Sequence, residues 1–224
     1  MISSRKEVIV KNSPGQVGVR FALLIGLLTM FGCGGKGETL YLDVVPRLQP
    51  GPLVESEPVK IVIDSFEDRR VDRSRVGTRT HLWGGATYFN VSGEKPGEVF
   101  AKALAERLRA RGWGNRSWNV RVGPAGSAGA GDIVITGQIF EFGANAKSRL
   151  FSTYITTSSK LTITAHNKVD GTTTSRSLET AQSDTVFWFD ESDVKRLLTE
   201  TIKDAIDRYV IDTKIAQGAL RPVR

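Results

Sequence analysis

Cysteine and histidine are nearly absent from this sequence, which holds one cysteine and two histidines among 224 residues. A disulfide needs two cysteines, and a transition-metal site usually takes several cysteine or histidine ligands at short spacing. The histidines, His81 and His166, stand far apart in the chain, so neither is predicted to be catalytic or to bind a metal. The composition therefore predicts a domain that folds without disulfides, metals or cofactors.

The sequence also lacks an apolar run long enough to cross a membrane, which takes about 20 residues. Its one strongly apolar run, residues 21–32 (FALLIGLLTMFG), is well short of that length. The segment before this run is basic, with Arg5, Lys6, Lys11 and Arg20 against Glu7. A basic segment followed by a short apolar run is typical of a secretory signal peptide. Residues 1–32 are therefore predicted to direct export and then to be removed.

The single cysteine, Cys33, directly follows the apolar run. Residues 30–33 (MFGC) resemble the lipobox of bacterial lipoprotein signals, in which a small residue precedes the cysteine; Gly32 fits and the bulky Phe31 departs from the pattern. The resemblance implies cleavage between Gly32 and Cys33, and a diacylglyceryl thioether plus an N-acyl chain on Cys33. Several acyl chains together hold a protein durably in a membrane. The alternatives are an uncleaved signal anchor, or a secreted protein in which Cys33 is a free thiol.

The residue after Cys33 bears on which membrane would hold the protein. It is Gly34, whereas an aspartate there would resemble the inner-membrane retention signal of enteric bacteria. We therefore expect attachment to the outer membrane, with the folded domain facing the periplasm.

Three segments follow from these patterns: a signal peptide (1–32), a lipidated N-terminus with a flexible tether (33–58), and a periplasmic domain (59–224). The tether mixes glycine, proline and charged residues, which is typical of linkers, although residues 39–45 (TLYLDVV) are a candidate edge strand. The net charge of +7 is moderate, and the predicted signal peptide contributes part of it. We therefore expect no nucleic-acid partner, because such a partner requires a concentrated basic face.

Two helices are predicted in the domain. The first begins at Pro96 and ends before Gly112, the residues that favour a helix start and a helix stop. The second carries an apolar stripe from Val194 to Val210, with Asp190 as its N-cap. Each helix has one apolar face to bury against other elements.

The remaining elements are predicted strands, recognised by alternating apolar and β-branched residues. They are residues 59–66, 81–91, 118–122, 132–143, 154–167 and a return strand ending at 185–189. In two of them, Ile133, Ile135 and Ile139 share one face, as do Leu161 and Ile163. Strands clustered between two helices predict an α+β fold, a two-layer sandwich of a largely antiparallel β-sheet with both helices on one face.

Several of these segments resemble the YajG-like family of bacterial outer-membrane lipoproteins. They are DSFEDRR…VG (64–77), the helix ending in RARGW, and the strands DIVITGQIFEFGAN and TSSKLTITA, with the helix segment KDAIDRY. The resemblance covers roughly residues 59–215 and rests on structural motifs. It implies a location and a fold, and it supplies no catalytic residues.

The turn at residues 67–75 (EDRRVDRSR) places four arginines among three acids. Guanidinium groups and carboxylates pair in a fork-shaped geometry, which favours a mutually paired surface network. A contact with a protein partner or a lipid phosphate is the main alternative. A cation held by Asp64, Glu67, Asp68 and Asp72 is disfavoured, because the arginines would repel it. The candidate partner contacts are Arg69, Arg70, Arg73 and Arg75.

Two aromatic segments have two interpretations. They lie at residues 83–89, with Trp83, Tyr88 and Phe89, and at residues 187–189 (FWF). Either they pack in the core, or part of them forms an exposed patch that docks a partner or lipid.

No catalytic motif stands out in the chain. Ser127 lies in a loop of small residues without a nucleophile elbow or a Walker lysine, so a hydrolase or a phosphate site is disfavoured. The sequence therefore predicts a non-enzymatic cell-envelope lipoprotein, bound to membrane lipid through Cys33, that acts as an accessory or scaffold for an envelope protein. The alternative is a lipid- or ligand-carrying accessory of a transport or lipopolysaccharide-assembly system. A lipid-sized apolar cavity between sheet and helices would favour the carrier.

Overall fold

The computed structural model describes residues 37–44, 56–112, 116–123 and 131–223. The predicted signal peptide, including Gly32, the predicted lipidation site Cys33 and the loop residue Ser127 lie outside this part of the chain. Within it, no helix has the length and apolarity needed to cross a bilayer.

The described chain forms two helices and a large share of strands, in agreement with an α+β fold. The helices are α1 (Pro96–Arg111) and α2 (Glu191–Ile211). The strands are β1 (Thr39–Leu42), β2 (Ser56–Asp64), β3 (Glu67–Asp68), β4 (Gly77–Thr80), β5 (Ala86–Val91), β6 (Ser117–Gly123), β7 (Ile133–Arg149), β8 (Ser152–Asn167), β9 (Thr173–Val186), β10 (Thr213–Ala216) and β11 (Ala219–Pro222).

The long strand β7 organises the main sheet. One edge of β7 pairs along its whole length with β8, and β8 pairs with β9, both antiparallel. The other edge meets β2, β3 and β4 in turn, all parallel to β7. Beyond them, β6 pairs with β2, while β5 pairs with β4 and β1 pairs with β5. The sheet is therefore mixed, because its antiparallel β7–β8–β9 part is joined by parallel strands that precede α1.

Several predicted segment boundaries differ from the structure, among them the end of β7, which lies at Arg149 and not at residue 143. The segment expected as one strand at 81–91 is instead the second half of a hairpin, with β4 and β5 joined through residues 81–85. The return strand ends at Val186, so residues 187–189 lie beyond it. The residues expected as a tether contain β1, which pairs with β5 at the sheet edge and lies within the candidate edge strand at residues 39–45.

A hairpin of β10 and β11 follows α2 and was not predicted. Its turn contains Gln217 and Gly218, both with positive φ, and a glycine in that position is a recognisable hairpin signal. The side chain of Asn167, at the end of β8, both donates to and accepts from the backbone of Leu220. Leu220 is buried, so this hydrogen-bonded contact fastens the hairpin to the main sheet.

The core lies where α1 and α2 pack against the sheet and against each other. Phe100, Leu104 and Leu108 of α1 are fully buried, and the Phe100 ring contacts those of Phe66 and Phe142 at centroid distances of 6.3 and 5.2 Å. The predicted inward residues of α2 and of the sheet are buried as well: Leu198, Ile202, Ile206, Ile133, Ile135, Ile139, Leu161 and Ile163. Asp190 caps α2 in a capping box with Asp193, as its position before the apolar stripe indicated.

A bulge in β7 changes which residues face the core. The register with β8 shifts between Ile139 and Glu141, so the inward positions change from odd to even numbers. Phe142 is therefore buried, whereas Phe140 is 41% exposed. A simple alternation in the sequence cannot continue through this point.

Two glycines permit close approach to Phe66. A Cβ on Gly97, at the start of α1, would lie 1.9 Å from the Phe66 carbonyl oxygen. A Cβ on Gly137, in β7, would lie 2.4 Å from the Phe66 ring. Both contacts are far below van der Waals distance, so only glycine allows α1 and β7 to approach the loop after β2 this closely.

Candidate functional site

The arginine-rich loop between β3 and β4 is held together from within. The Arg70 side chain is only 6% exposed, and its Nε and Nη2 each donate to an Asp68 carboxylate oxygen at 2.9 Å. Its Nη1 donates to the carbonyl oxygens of Arg75 at 2.8 Å and of Phe142 at 3.2 Å. These contacts occupy the guanidinium, so Arg70 has a structural role and fastens the loop to β7.

The Asp68 carboxyl shows the electrostatic effect of this pairing. Partial burial raises its pKa, but the hydrogen bonds from Arg70 and the charges of Arg70 and Arg73 lower it by more. The net pKa of Asp68 lies below its ordinary value, and the carboxylate is charged at neutral pH.

The other arginines of the loop also contact nearby groups of the loop or sheet. Arg69 pairs with Glu67 and Arg75 pairs with Asp72, at 2.8 and 2.9 Å. The Arg75 guanidinium also lies 4.7 Å from the centre of the Tyr88 ring, and Arg73 Nε donates to the Arg70 carbonyl oxygen. This agrees with the predicted surface network. A partner contact by Arg69, Arg73 and Arg75 stays a prediction, and the neighbouring Val71 is fully exposed.

A surface cavity of about 270 Å³ lies beside this loop. Its lining mixes polar side chains, such as those of Arg75 and Glu141, with apolar groups such as Val76, and it opens to solvent. It differs from the apolar cavity between sheet and helices that a lipid carrier would need. Among the residues with described side chains, no three carboxylate, histidine or cysteine groups are grouped as a metal ion would require.

Both histidines contact threonine hydroxyls. His81 Nε2 lies 2.8 Å from Thr87 Oγ1, and burial together with the nearby Arg79 charge lowers the pKa of His81. His166 Nδ1 lies 3.0 Å from Thr173 Oγ1 on the exposed side of β8, opposite the buried Leu161 and Ile163. His81 directly follows β4, at the end of the sheet where β7 turns into β8, whereas His166 lies near the C-terminal end of β8, at the opposite end of the sheet. The fold therefore does not bring the two histidines together.

Large apolar side chains are exposed at one end of the main sheet. They come from three connections: residues 81–85 between β4 and β5, residues 150–151 between β7 and β8, and the residues after β9. We call this surface the apolar apex, and its members are Leu82 (44% exposed), Trp83 (89%), Leu150 (66%), Phe151 (79%), Phe187 (79%) and Trp188 (91%).

The strand register places these three connections side by side. Thr80, at the end of β4, pairs with Lys147 of β7, which pairs with Tyr154 of β8, which pairs with Thr185 of β9. Adjacent strands are about 4.8 Å apart, so the row from β4 to β9 is about 14 Å wide. Tertiary structure therefore gathers into one surface apolar residues that are more than 100 positions apart in the chain.

The turn between β7 and β8 is unusual in its residues. Leu150 and Phe151 connect the paired residues Arg149 and Ser152, and Phe151 has a positive φ of 62°. Glycine or asparagine normally occupies such a position, because a bulky side chain is strained there. The requirements of the turn do not explain an exposed Leu-Phe pair.

Cationic side chains surround the apex. Lys147 and Arg149 are exposed on the last residues of β7, and Arg149 lies 5.3 Å from the Tyr154 ring centre. The Arg79 guanidinium lies 3.8 Å from the centre of the Phe189 ring. Phe189 in turn stacks on the fully buried Phe89, at 6.2 Å between centroids.

Both interpretations of the aromatic segments therefore hold for different residues. Phe89 lies in the core and Phe189 packs against it, while Trp83, Phe187 and Trp188 are exposed at the apex. Sequence reasoning missed Leu82, Leu150 and Phe151. Leu150 and Phe151 could have been recognised in the sequence as an apolar pair at the turn between β7 and β8.

The chain also enters the domain at this end. Gly37, the first described residue, donates its backbone N–H to the Ala86 carbonyl oxygen at 2.8 Å. Ala86 directly follows the connection that carries Leu82 and Trp83, and β1 then runs parallel to β5 away from the apex. Cys33 precedes Gly37 by four residues, a length of chain that spans at most about 14 Å.

No protein-family model matches the sequence, and no curated protein matches it. Solved structures with some likeness include a DUF330 protein from Xanthomonas campestris, at 10% identity and TM-score 0.49, covering 77% of this chain and 95% of that one. Others are PelC, in a dodecamer from Paraburkholderia phytofirmans (14%, TM-score 0.35, 69% and 92%), and lipoprotein GNA1162 from Neisseria meningitidis (12%, TM-score 0.26, 66% and 97%). With every TM-score below 0.5, these likenesses carry no argument about function.

Proposed function

We propose that this chain is a non-enzymatic lipoprotein of the bacterial cell envelope, acylated at Cys33, that acts as an accessory or scaffold in an envelope complex. The observation that carries the proposal is the sequence at the N-terminus, in which Gly32 and Cys33 end an uncharged run after a basic segment. The proposed location is the outer membrane, with residues 59–224 facing the periplasm.

The position of Gly37 supports this proposal. An acylated Cys33 would be no more than about 14 Å of chain from the apex end of the domain. The exposed apolar and cationic groups gather at that same end. A membrane anchor and a membrane-compatible surface would then lie together.

The side chains between the helices and the sheet favour the scaffold over the lipid carrier. Phe100, Leu104, Phe142 and Trp118 are all 3% exposed or less, as a packed interior requires. The cavity beside the arginine-rich loop opens at the surface. A two-layer sandwich with both helices on one face is the finer arrangement that we propose, supported by the packing of α1 against α2. The YajG-like relationship is part of the same proposal and rests on the quoted motifs.

Blocking the acylation site tests the anchor. We expect the intact mass of membrane-extracted protein to equal residues 33–224 plus acyl groups, and Cys33→Ala to remain uncleaved and to carry none. Sucrose-gradient fractionation should place the wild-type protein with outer-membrane markers. An unmodified Cys33 in the membrane-extracted protein would reject the anchor, and co-migration with inner-membrane markers alone would reject the location.

A photo-crosslinking residue in place of Val71 tests the scaffold role. Val71 stands fully exposed within the arginine-rich loop, so a partner that contacts Arg69, Arg73 or Arg75 would lie within reach. We expect one discrete protein adduct in living cells, lost when Arg73 and Arg75 are changed to glutamate. Val169 is the matched control, because it is also an exposed valine (62%) but lies in the turn between β8 and β9. Equal adducts at both positions, or none at residue 71, would contradict the predicted contact.

A further inference from the structure

We infer that the apolar apex inserts into the surface of the membrane that holds the acyl chains of Cys33, and so fixes the orientation of the domain. This inference rests on the proposed lipid anchor and adds a second point of attachment. Its occupant is the lipid bilayer itself, at the depth of the headgroups and the first acyl carbons.

The composition of the apex fits that depth. Tryptophan is enriched at the membrane–water interface, because its ring is apolar and its indole N–H is polar. Phenylalanine and leucine supply the apolar surface that enters the boundary between headgroups and acyl chains. Four of the six apex residues are aromatic, and Trp83, Phe151, Phe187 and Trp188 are all at least 79% exposed. Moving such rings from water into an acyl layer is favourable, because it removes apolar surface from water.

The cations beside the apex fit the phosphate layer. Lys147 and Arg149 are exposed on the last residues of β7, directly before Leu150 and Phe151. Long basic side chains lay their apolar stems along the acyl region while the charged groups stay with the phosphates. In a bilayer the phosphate layer lies outside the acyl layer. The end of the sheet has the matching order, because its cations lie closer to the domain than its apolar apex residues.

The residues of the turn between β7 and β8 are not those that the turn itself favours. Phe151 occupies a left-handed backbone position that disfavours a bulky residue. Strained backbone positions of this kind are concentrated at functional sites, such as those that bind a ligand. An exposed Leu-Phe pair at a turn is explained if it contacts lipid.

The chain length before Gly37 supplies the link to the anchor. Gly37 is hydrogen-bonded to Ala86, next to the connection that carries Trp83. Cys33 precedes it by four positions, so the acylated residue cannot lie more than about 14 Å of chain from this edge of the apex. With the anchor in a bilayer, the apex is the part of the domain that is held against it.

Site-specific fluorescence in vesicles tests the inference on the mature lipoprotein. In the lipidated protein the thiol of Cys33 is blocked, and the chain holds no other cysteine, so an introduced cysteine accepts a single NBD label. The labels are placed at Trp83→Cys and Trp188→Cys in the apex and at Val169→Cys as the control. Val169 lies beyond the far end of β8, a strand of 16 residues, which separates it from the apex by about 50 Å.

The labelled proteins are reconstituted into phosphatidylcholine–phosphatidylglycerol vesicles with and without nitroxide-labelled lipid. We expect NBD at residues 83 and 188 to shift to shorter wavelength and to be quenched several-fold more than NBD at residue 169. Replacing Phe151 and Phe187 by alanine should reduce the quenching at residue 188 without changing thermal unfolding. Labels at 83 and 188 that are quenched no more than the label at 169 would overturn the inference.

Intact mass of the same samples separates this failure from failure of the proposed function. If the mass contains the acyl groups and the apex labels are not protected, the anchor stands and the apex inference falls. If Cys33 carries no acyl group in the membrane-extracted protein, the anchor and the inference that rests on it fall together.

Discussion

Replacing Phe100 by alanine is expected to lower the free energy of unfolding by about 3–5 kcal/mol, the range for a large aromatic ring removed from a packed core. Phe100 is fully buried in the N-terminal half of α1. Its ring contacts those of Phe66 and Phe142, both buried, so truncation leaves a cavity lined by side chains that are themselves packed. Urea-induced unfolding followed by circular dichroism measures the change.

Phe140→Ala is the matched control for this prediction. It removes the same ring from a residue that is 41% exposed and adjoins the bulge in β7. We expect a much smaller loss of stability, because Phe140 already contacts water over about two-fifths of its surface, whereas Phe100 is fully buried. An equal loss in the two variants would mean that α1 does not pack on this sheet face.

Asp68→Asn is expected to lower the free energy of unfolding at pH 7 by about 3 kcal/mol, the lower end of the range for breaking a buried ion pair. The Arg70 guanidinium would stay buried, with two carbonyl oxygens but no carboxylate to balance its charge. The Asp68 carboxylate is itself partly exposed, which places the expected effect at the lower end. Urea unfolding of both proteins at pH 7 measures this difference.

The effect of Asp68 should depend on pH in one direction. Because the folded-state pKa of Asp68 lies below the ordinary value of 3.8, its charge stabilises the folded domain fully above that pH. The contribution is lost as the pH falls through the folded-state pKa. We therefore expect the gap between wild type and Asp68→Asn to be constant from pH 5 to 7 and to narrow progressively below about 3.8.

Asp72→Asn is the control for the charge of the loop as a whole. Asp72 pairs with Arg75 in the same loop, but both side chains are at least 40% exposed. Solvent screens such pairs, so we expect little change in stability. If Asp68→Asn lowered the free energy of unfolding no more than Asp72→Asn does, the buried pair of Arg70 with Asp68 would not stabilise the loop.

Several features of this protein were predictable from the sequence because they depend on neighbouring residues in the chain. Apolar spacing and end signals located both helices, and Asp190 was recognisable as a cap from its position alone. Alternation identified the inward residues of β8, since Leu161 and Ile163 are buried as expected. The basic and apolar residues before Cys33 predicted a lipid anchor without any knowledge of the fold.

Other features depended on contacts between distant parts of the chain, which a linear pattern does not contain. Arg70 looked like its three neighbouring arginines, and only the approach of β7 buried it against the Phe142 carbonyl oxygen. The bulge after Ile139 reset the alternation of β7 through its pairing with β8. The apex is the clearest case, because sheet register alone brought Trp83, Phe151 and Trp188 to one end. The sequence by itself determined which segments could be helices and strands, since those properties are local, and it predicted a membrane signal. Only the tertiary structure decided which apolar residues stayed outside the core and faced the same direction as the start of the domain.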